Sequence, residues 1–312
     1  MNNITFDIFE EFLHSHSTDK IIPGLERITR LLSRLNNPQN SFRSVHIVGT
    51  NGKGSTGAFL ASVFSESGYR TGFYSSPHLE SPGERFMIDG EALSADEWMK
   101  AAETVASVIR PNEDLPSYFE MLTACAFLLA REHNIDVGII EAGLGGKLDA
   151  TNTMSNTACS VIASVSIDHT EYLGDTLESI AGEKFAVVRK NTPACFSGFD
   201  SSLVDMFRNV CSERSAVPFV VSESSRAENV IISPEGNTFD FHSPNLELRN
   251  IRTGLIGKYQ VSNATLALSA ISLVKDSFVN ITDDSIRTGM LKAKWPGRLE
   301  IVSHNPLIVL DG

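Results

Sequence analysis

Cysteine is scarce in this 312-residue sequence, and its spacing excludes the common cysteine motifs. The four thiols form no CxxC pair and have no histidine pair at zinc-ligand spacing; they are Cys125, Cys159, Cys195 and Cys211. Scattered cysteines of this kind predict free thiols in a reducing compartment, where they pack in the core.

Long apolar runs and an excess of basic charge are also missing. No eighteen apolar residues run together, which argues against a transmembrane helix, and the N-terminal MNNITFDIFEEFLHSH lacks the basic start of a secretory signal. Acidic residues outnumber basic ones by 38 to 26, so the net charge of -12 disfavours binding to nucleic acid or to an anionic membrane. We therefore expect a cytoplasmic enzyme or binding protein with no nucleic-acid partner and no membrane partner.

Strand-like and helix-like segments alternate along the first two thirds of the sequence, without repeats or low-complexity tracts. Strand-like apolar runs lie at 44–49, 70–75, 136–142, 159–166 and 192–198. Three intervening segments begin with a capping residue three positions before a carboxylate: Ser94 with Glu97, Ser117 with Glu120, and Asp175 with Glu178. The alternation predicts an α/β fold with a mostly parallel sheet of the phosphate-loop type and helices on both faces.

From about residue 217 the pattern changes. Short β-type runs over about 217–256 predict a small antiparallel accessory sheet, and helical patterns return at 259–276 and 282–294. Pro296-Gly297 ends that helical pattern, and the last residues predict two strands joined by a turn at Asn305-Pro306. These changes divide the sequence into a main domain over 1–296 and a separate segment over 297–312.

The stretch HIVGTNGKGST, residues 46–56, has the composition of a phosphate-binding loop but an unusual spacing. Two residues separate Gly49 from Gly52-Lys53, where the common motif has four, and a further glycine precedes Ser55. A strand precedes the glycines and a helix follows, so loop amides and the helix dipole would converge on an anion. Lys53 would meet terminal phosphates, and Ser55 or Thr56 a magnesium ion. A glycine-rich hexamer alone is equally often a plain turn.

Polar residues at the ends of two later apolar strands support a ligand site. Glu141 closes one strand-like run, and Asp168 with His169 follows the next. A carboxylate has no packing reason to end an apolar strand, and ligands of open α/β sheets bind at the carboxyl ends of strands. An isolated histidine is more often structural than a ligand. Together with Glu141 and Lys53, however, His169 predicts a metal site.

These residues resemble the folylpolyglutamate synthases, including the bifunctional dihydrofolate synthases, within the Mur-type ATP-dependent amide ligases. The resemblance is carried, in that family's order, by LLSRLNNPQ, HIVGTNGKGST, SSPHL with ERFMIDG, FEMLTACAF, EAGLGGKLDATN, SIDHTEYLGDTLESIAGEK, YQVSNATLAL and WPGRLE. It spans nearly the whole chain from about residue 22 and identifies the loop as the Mur type. It implies a monomeric ligase of folate biosynthesis and one-carbon metabolism, with an ATP-binding domain over residues 1–296 that is like the Mur ligase central domain.

The resemblance assigns roles in the nucleotide and metal sites. ATP would contact Lys53 and these further positions: Thr50, Asn51, Gly52, Gly54, Ser55, Thr56, Asn263, Arg298 and Asp311. Two magnesium ions would be bound by Ser76, Glu141, His169 and Lys184, with Ser76 preferred to Ser55. Lys184 matches a lysine that is carbamylated in this family, a change that makes an anionic oxygen ligand; without the resemblance it would be interpreted as a surface helix lysine. Lys53, Glu141, His169 and Lys184 form the implied catalytic set.

For the acceptor substrate, the resemblance points to seven residues: Ser117, Tyr118, Phe119, Glu120, Leu148, Asp149 and Ala150. The rings of Tyr118 and Phe119 would stack on the flat heterocycle of a folate or of dihydropteroate. Packing in the core at the start of a helix accounts equally well for each ring on its own.

The implied reaction joins L-glutamate to a carboxylate. ATP phosphorylates the glutamate tail of a folate or the benzoate of dihydropteroate, because carboxylate oxygens are poor leaving groups. The amine of L-glutamate then displaces phosphate, while magnesium and Lys53 offset the crowded charge. Two alternatives stay open: a cell-wall Mur ligase, disfavoured by SPHL, FEM and LDATN, and a non-catalytic nucleotide-binding protein, disfavoured by the intact Lys53, Glu141 and His169.

The family normally continues into a second, Rossmann-like domain, and this sequence ends at LDG, within the motif that opens that domain. From the resemblance we expect residues 297–312 to be the linker and the start of a truncated C-terminal domain. We also expect such a chain to bind its substrates weakly and to have little ligase activity by itself.

Overall fold

The computed structural model describes residues 4–20 and 22–311. Its main sheet has eight strands: β1 (Arg43–Val48), β2 (Thr71–Tyr74), β3 (Phe86–Ile88), β4 (Glu91–Ala92), β5 (Val137–Glu141), β6 (Thr157–Ile162), β7 (Pro193–Phe196) and β8 (Val217–Val220). Their order is β4-β3-β2-β5-β1-β6-β7-β8. All pairs from β2 to β8 are parallel, and β3 and β4 add an antiparallel edge. The predicted mostly parallel sheet is confirmed.

Helices pack on both faces of this sheet. In the described part of the chain they are α1 (Phe6–Ser15), α2 (Glu26–Arg34), α3 (Lys53–Glu66), α4 (Ala95–Ser107), α5 (Tyr118–Glu132), α6 (Thr170–Leu173), α7 (Leu177–Phe185), α8 (Ser202–Glu213), α9 (Val221–Ser224), α10 (Lys258–Val274) and α11 (Asp283–Lys292). Alternate residues of a strand point to opposite faces. Val45 and Ile47 of β1 accordingly pack with α3 and α10, whereas Val48 packs with α7 and α8.

Two of the three predicted helix starts are confirmed, and one is displaced. Ser94 and Ser117 each form a capping box with the glutamate three residues later. For α7 the predicted cap at Asp175 is wrong by one residue, because the Thr176 hydroxyl accepts from the Ser179 amide and the helix begins at Leu177. Asp175 and Thr176 are both good capping residues, so the sequence pattern alone did not distinguish them.

The accessory sheet is smaller than predicted. It contains β9 (Arg226–Ser233), β10 (Gly236–Ser243) and β11 (Leu246–Thr253) in the order β11-β10-β9. The run that begins at 217 was predicted to belong to it, but β8 instead pairs with β7 and buries Phe219 and Val220 at the edge of the main sheet. The predicted final hairpin is confirmed as β12 (Glu300–His304) and β13 (Leu307–Leu310).

The cysteines are packed in the core, as expected from the sequence. All four cysteines are buried free thiols, and burial raises the pKa of each of them. Within residues 4–20 and 22–311, no helix combines the length and apolar character needed to cross a membrane.

Candidate active site

The phosphate loop lies between the end of β1 and the start of α3, as predicted. The first hydrogen bond of α3 runs from the Thr56 amide to the Gly52 carbonyl, so the amides of residues 53–55 precede the helical ladder and are open to an anion. Gly52 has a left-handed backbone with φ of 86°, and a Cβ placed on it would lie 2.4 Å from Asn263 Oδ1. A Cβ on Gly54 would lie 2.5 Å from the Trp295 ring. Both positions therefore need glycine.

The first two residues of the predicted phosphate-binding set instead anchor the loop to the chain that follows β6. The Thr50 amide donates to the Ser164 carbonyl at 2.6 Å, and the Asn51 amide donates to Ser164 Oγ at 3.0 Å. The Thr50 hydroxyl donates to the Ser166 carbonyl at 3.1 Å. The Asn51 amide therefore already has an acceptor, and a contact of this residue with phosphate stays a prediction.

Sequence reasoning missed Gln260, which connects α10 to the phosphate loop. Its Nε2 donates to Ser55 Oγ at 3.1 Å, and its Oε1 accepts from Asn263 Nδ2 at 3.0 Å. Ser55 is buried, so the bond fixes its hydroxyl oxygen. The three-residue spacing of Gln260 and Asn263 puts both on one face of α10, a signal that was present in YQVSN. Asn263 therefore lies against the phosphate loop, and its contact with a nucleotide stays a prediction.

Lys53 and Glu141 meet at the carboxyl ends of β1 and β5. Lys53 Nζ lies 3.8 Å from Glu141 Oε1 and 3.3 Å from the Thr50 carbonyl oxygen. Glu141 is 3% exposed, and its Oε2 has no hydrogen-bond partner among the described residues. Burial raises the pKa of Glu141 to about 7, although the Lys53 charge opposes the shift. A buried carboxylate with an unused oxygen beside a phosphate loop is suited to bind a cation.

Lys184 is buried at the same end of the sheet, with 3% of its surface exposed. The interpretation as a surface helix lysine is therefore wrong, because this face of α7 packs inward with Phe185. Burial, with a further contribution from the Lys53 charge, lowers the pKa of Lys184 to about 8. Sequence reasoning alone did not detect this burial, since the apolar pattern of α7 is short.

His169 and Ser76 are more exposed. The His169 side chain is 55% exposed, its backbone is left-handed with φ of 48°, and its Nε2 lies 3.6 Å from Asp168 Oδ2. Ser76 is half-buried in the turn after β2. No three His, Cys, Asp or Glu side chains of the described residues form a metal-binding cluster. The predicted ligand set contains only two residues of those types, so it remains a prediction.

Arg298 and Asp311 lie together at the base of the final hairpin. Asp311 Oδ1 accepts from the Leu299 amide at 3.2 Å, and the Arg298 charge acts on Glu141 by lowering its pKa. Both side chains are exposed. The structure thus brings Arg298 towards the carboxylate at the centre of the site.

Residues predicted to bind the acceptor lie at the start of α5. Ser117 and Glu120 form the helix cap, and Glu120 Oε2 also accepts from Arg27 Nε at 3.1 Å, while Oε1 has no partner among the described residues. The Tyr118 hydroxyl donates to Glu10 Oε1 at 3.1 Å. Its ring stacks on His14 with centroids 4.9 Å apart. Capping and packing therefore already occupy several of these side chains.

The glycine turn after β5 meets α5 through Phe119. A Cβ placed on Gly143 would lie 2.6 Å from the Phe119 ring. Farther along the turn Leu148 is 43% exposed, whereas Asp149 and Ala150 are each 5% exposed. Two segments far apart in sequence thus lie side by side and form one edge of the predicted acceptor cleft; acceptor binding there stays a prediction.

Fold and site together define a Mur-type ligase domain: residues 47–271 match the Mur ligase middle domain. A dihydrofolate synthase/folylpolyglutamate synthase of Bacillus subtilis is 36% identical over 308 residues, covering 96% of this chain and 71% of that protein. A folylpolyglutamate synthase of Mycobacterium tuberculosis complexed with ADP superposes with a TM-score of 0.90 at 30% identity, covering 98% of this chain and 69% of that one. A complex of folylpolyglutamate synthase with AMPPCP and folate gives 0.92 at 28% identity, covering 99% and 76%.

The chain belongs to the folylpolyglutamate and dihydrofolate synthases, which are ATP-dependent ligases that form amide bonds. Identity of 36% over nearly the whole chain favours this assignment over a cell-wall Mur ligase or a non-catalytic nucleotide-binding protein.

Proposed function

We propose that this chain binds Mg-ATP and a folate or dihydropteroate and joins L-glutamate to the acceptor carboxylate through an acyl phosphate. The observation that carries the proposal is the meeting of Lys53, the open amides of residues 53–55 and the buried Glu141 at one end of the sheet. The α5 cleft edge supplies the acceptor side of the same proposal. It is supported by relatives that include complexes with an ATP analogue and with folate.

The protein groups orient and neutralise the phosphates. The amides of residues 53–55 and the dipole of α3 bind phosphate oxygens, and Lys53 adds a positive charge that offsets the charge of the transferring phosphoryl group. Gln260 and Asn263 hold the loop in place from α10. Arg298 and Asp311 belong to the proposed nucleotide contacts as well.

The residues present fit a divalent cation. Glu141 provides an unused buried oxygen, and we assign Ser76, His169 and Lys184 as the further ligands of two magnesium ions. Magnesium would supply charge neutralisation of the phosphates. Lys184 joins this set only as a carbamate, since an ammonium has no lone pair to donate. Its lowered pKa leaves more neutral amine to react with carbon dioxide.

The acceptor would lie along the cleft edge between α5 and the turn after β5. The seven proposed residues there are Ser117, Tyr118, Phe119, Glu120, Leu148, Asp149 and Ala150. The ring of Phe119 offers a flat apolar surface for a heterocycle. L-glutamate, a small molecule like the other partners, would then attack the activated carboxylate, and ADP and phosphate would leave.

Binding and turnover should be measured separately, because the chain spans 71% of the Bacillus subtilis relative. Calorimetry would give the affinities for Mg-ATP and, in its presence, for dihydropteroate and tetrahydrofolate. Transfer of labelled L-glutamate to either acceptor would give the activity. We expect Mg-ATP binding that is weakened in Lys53→Met, and acceptor binding that is lost in Phe119→Ala but kept in the exposed control Phe199→Ala.

The outcomes distinguish the proposed acceptor binding from the proposed transfer of glutamate. Wild-type chain that binds neither acceptor would exclude the folate-directed function. Acceptor binding without transfer would mean that the described site holds substrates and that catalysis needs further groups.

A further inference from the structure

His46 lies in β1, on the sheet face opposite to Val45 and Ile47, and no role assigned above accounts for it. Its side chain has no exposed surface. Nε2 lies 2.8 Å from Thr151 Oγ1, whereas Nδ1 has no hydrogen-bond partner among the described residues. A buried ring nitrogen without a partner is costly, so the one contact that the ring makes calls for an explanation.

That contact has a defined direction. Burial raises the pKa of Asp149, but both of its carboxylate oxygens accept hydrogen bonds from backbone amides, which favours the ionised form. Thr151 Oγ1 lies 2.5 Å from Asp149 Oδ1, and an ionised carboxylate only accepts, so the threonine proton is donated to Asp149. A hydroxyl has a single proton, and the bond with the imidazole must therefore be donated by His46 Nε2. The result is a buried chain in which His46 donates to Thr151 and Thr151 donates to Asp149.

The end of this chain holds the turn after β5. Asp149 Oδ2 accepts from the Leu144 amide at 2.8 Å, and Oδ1 accepts from the Thr151 amide at 3.0 Å. One carboxylate thus ties residues 144 and 151 together across the turn that exposes Leu148. A second contact comes from Arg189, which follows α7: its Nη2 donates to the carbonyl of Asn152, the residue after Thr151, at 3.1 Å.

The imidazole keeps one protonation state. Burial, with a smaller contribution from the nearby Arg189 charge, lowers the pKa of His46 to about 3. The ring is therefore neutral at physiological pH, with its proton on the nitrogen that faces Thr151.

We propose that His46 is a positioning residue that, through Thr151, fixes the Asp149 carboxylate and with it the turn over residues 143–151 that contacts the acceptor. This inference rests on the proposed function, which places Leu148, Asp149 and Ala150 at the pterin-bearing substrate. His46 itself touches no substrate. A strand that leads into the phosphate loop thereby also shapes the acceptor cleft, from the sheet face that α5 covers and opposite to the face that α3 covers.

The test compares acceptor and nucleotide affinity in the full chain. His46→Leu removes the donor, whereas His46→Gln returns an amide N–H close to the place of Nε2. We expect His46→Leu to weaken dihydropteroate binding by roughly ten-fold and His46→Gln by less than about three-fold, with Mg-ATP affinity unchanged in both. Thr151→Val should weaken acceptor binding as much as His46→Leu does. The double variant should bind the acceptor no more weakly than either single variant, because both changes break the same series of hydrogen bonds.

Each other outcome overturns the inference. Equal losses of ATP and acceptor affinity in His46→Leu would indicate a general packing role. Unchanged acceptor affinity in His46→Leu would show that the hydrogen bonds from His46 to Asp149 do not influence the acceptor cleft. Wild-type protein without acceptor binding would instead remove the proposed function itself. If His46→Leu does not fold, Thr151→Val against Thr151→Ser makes the same comparison.

Independently, nitrogen NMR should show the Nε2–H tautomer of His46, and the Nδ1–H tautomer would contradict the chain.

Discussion

The Lys53 ammonium lies 3.8 Å from the Glu141 carboxylate, at the limit of an ion pair and too far for a normal hydrogen bond. Both partners therefore keep groups available for further bonds. The Lys53 ammonium can donate to a phosphate, and Glu141 keeps an oxygen that can bind a cation. Because the contact is loose, burial dominates the electrostatics of Glu141 and raises its pKa to about 7.

Glu141 should make stability depend on pH. Below its ordinary pKa of 4.5, the folded and unfolded chains both carry the proton on Glu141. Between 4.5 and about 7 the unfolded chain loses this proton while the folded chain keeps it, and above about 7 the folded chain buries the charge. The wild-type free energy of unfolding should therefore fall by up to about 3 kcal/mol relative to Glu141→Gln between about pH 4.5 and about pH 8. Urea unfolding in a chelator measures this, with the exposed Glu178→Gln as control. Parallel curves for wild type and Glu141→Gln would contradict the assignment.

Removing the Lys53 charge should weaken Mg-ATP binding with little effect on stability. Hydrogen bonds to charged groups contribute about 1.5–3 kcal/mol, so Lys53→Met should raise the Kd by roughly 10- to 100-fold. Lys292→Met is the matched control, because Lys292 is an exposed lysine that pairs with Glu66 at the far end of α3. Similar Kd values for the two variants would show that Lys53 does not contact the nucleotide.

Alanine at Gly52 should damage the phosphate loop more than alanine at Gly68. Both glycines have left-handed backbones, with φ of 86° and 79°, but only Gly52 would place a Cβ against Asn263; nothing lies within 4 Å of a Cβ on Gly68. Each substitution should cost about 1–2 kcal/mol of stability through backbone strain. Only Gly52→Ala should also displace Asn263 and lower ATP affinity. Urea unfolding and calorimetry on both variants check this, and equal ATP affinities would exclude the Asn263 contact.

Lys184 should react with carbon dioxide more readily than an exposed lysine does. With a pKa of about 8, about a tenth of its amine is neutral at pH 7. Carbon-13 NMR in labelled bicarbonate should show a carbamate resonance that disappears in Lys184→Arg and persists in Lys190→Arg, a change at an exposed lysine. A resonance that survives in both variants would place the carbamate elsewhere.

The predicted parts of the fold are those with local signals. Alternating apolar runs located the main sheet, capping residues located two of the three helix starts predicted from them, and a strand followed by glycines and a helix located the phosphate loop. Glu141 stood out because a carboxylate ends an otherwise apolar buried strand. Each of these signals lies within about fifteen residues of sequence.

The remaining parts of the site depend on contacts between distant segments. Gln260 reaches Ser55 from 205 positions away, and His46 reaches Thr151 from 105. No local pattern encodes such pairs. Lys184 was misread for the same reason, since it lies beside Gly146 in the turn after β5, and the periodicity of a nine-residue helix does not reveal this contact. In the same way, the Asn51 amide donates to Ser164, a residue 113 positions away.

The packing of Trp295 on Gly54 gives the phosphate loop a built-in optical probe. The chain has two tryptophans, and Trp98 is fully buried among α1 and α4 residues. Trp295 is half-buried and touches the glycine beside Lys53. Any rearrangement of the loop on loading with nucleotide changes the surroundings of one indole while the other provides a constant background. We therefore expect the emission spectrum of the unlabelled protein to change when nucleotide is added, if the loop rearranges on binding.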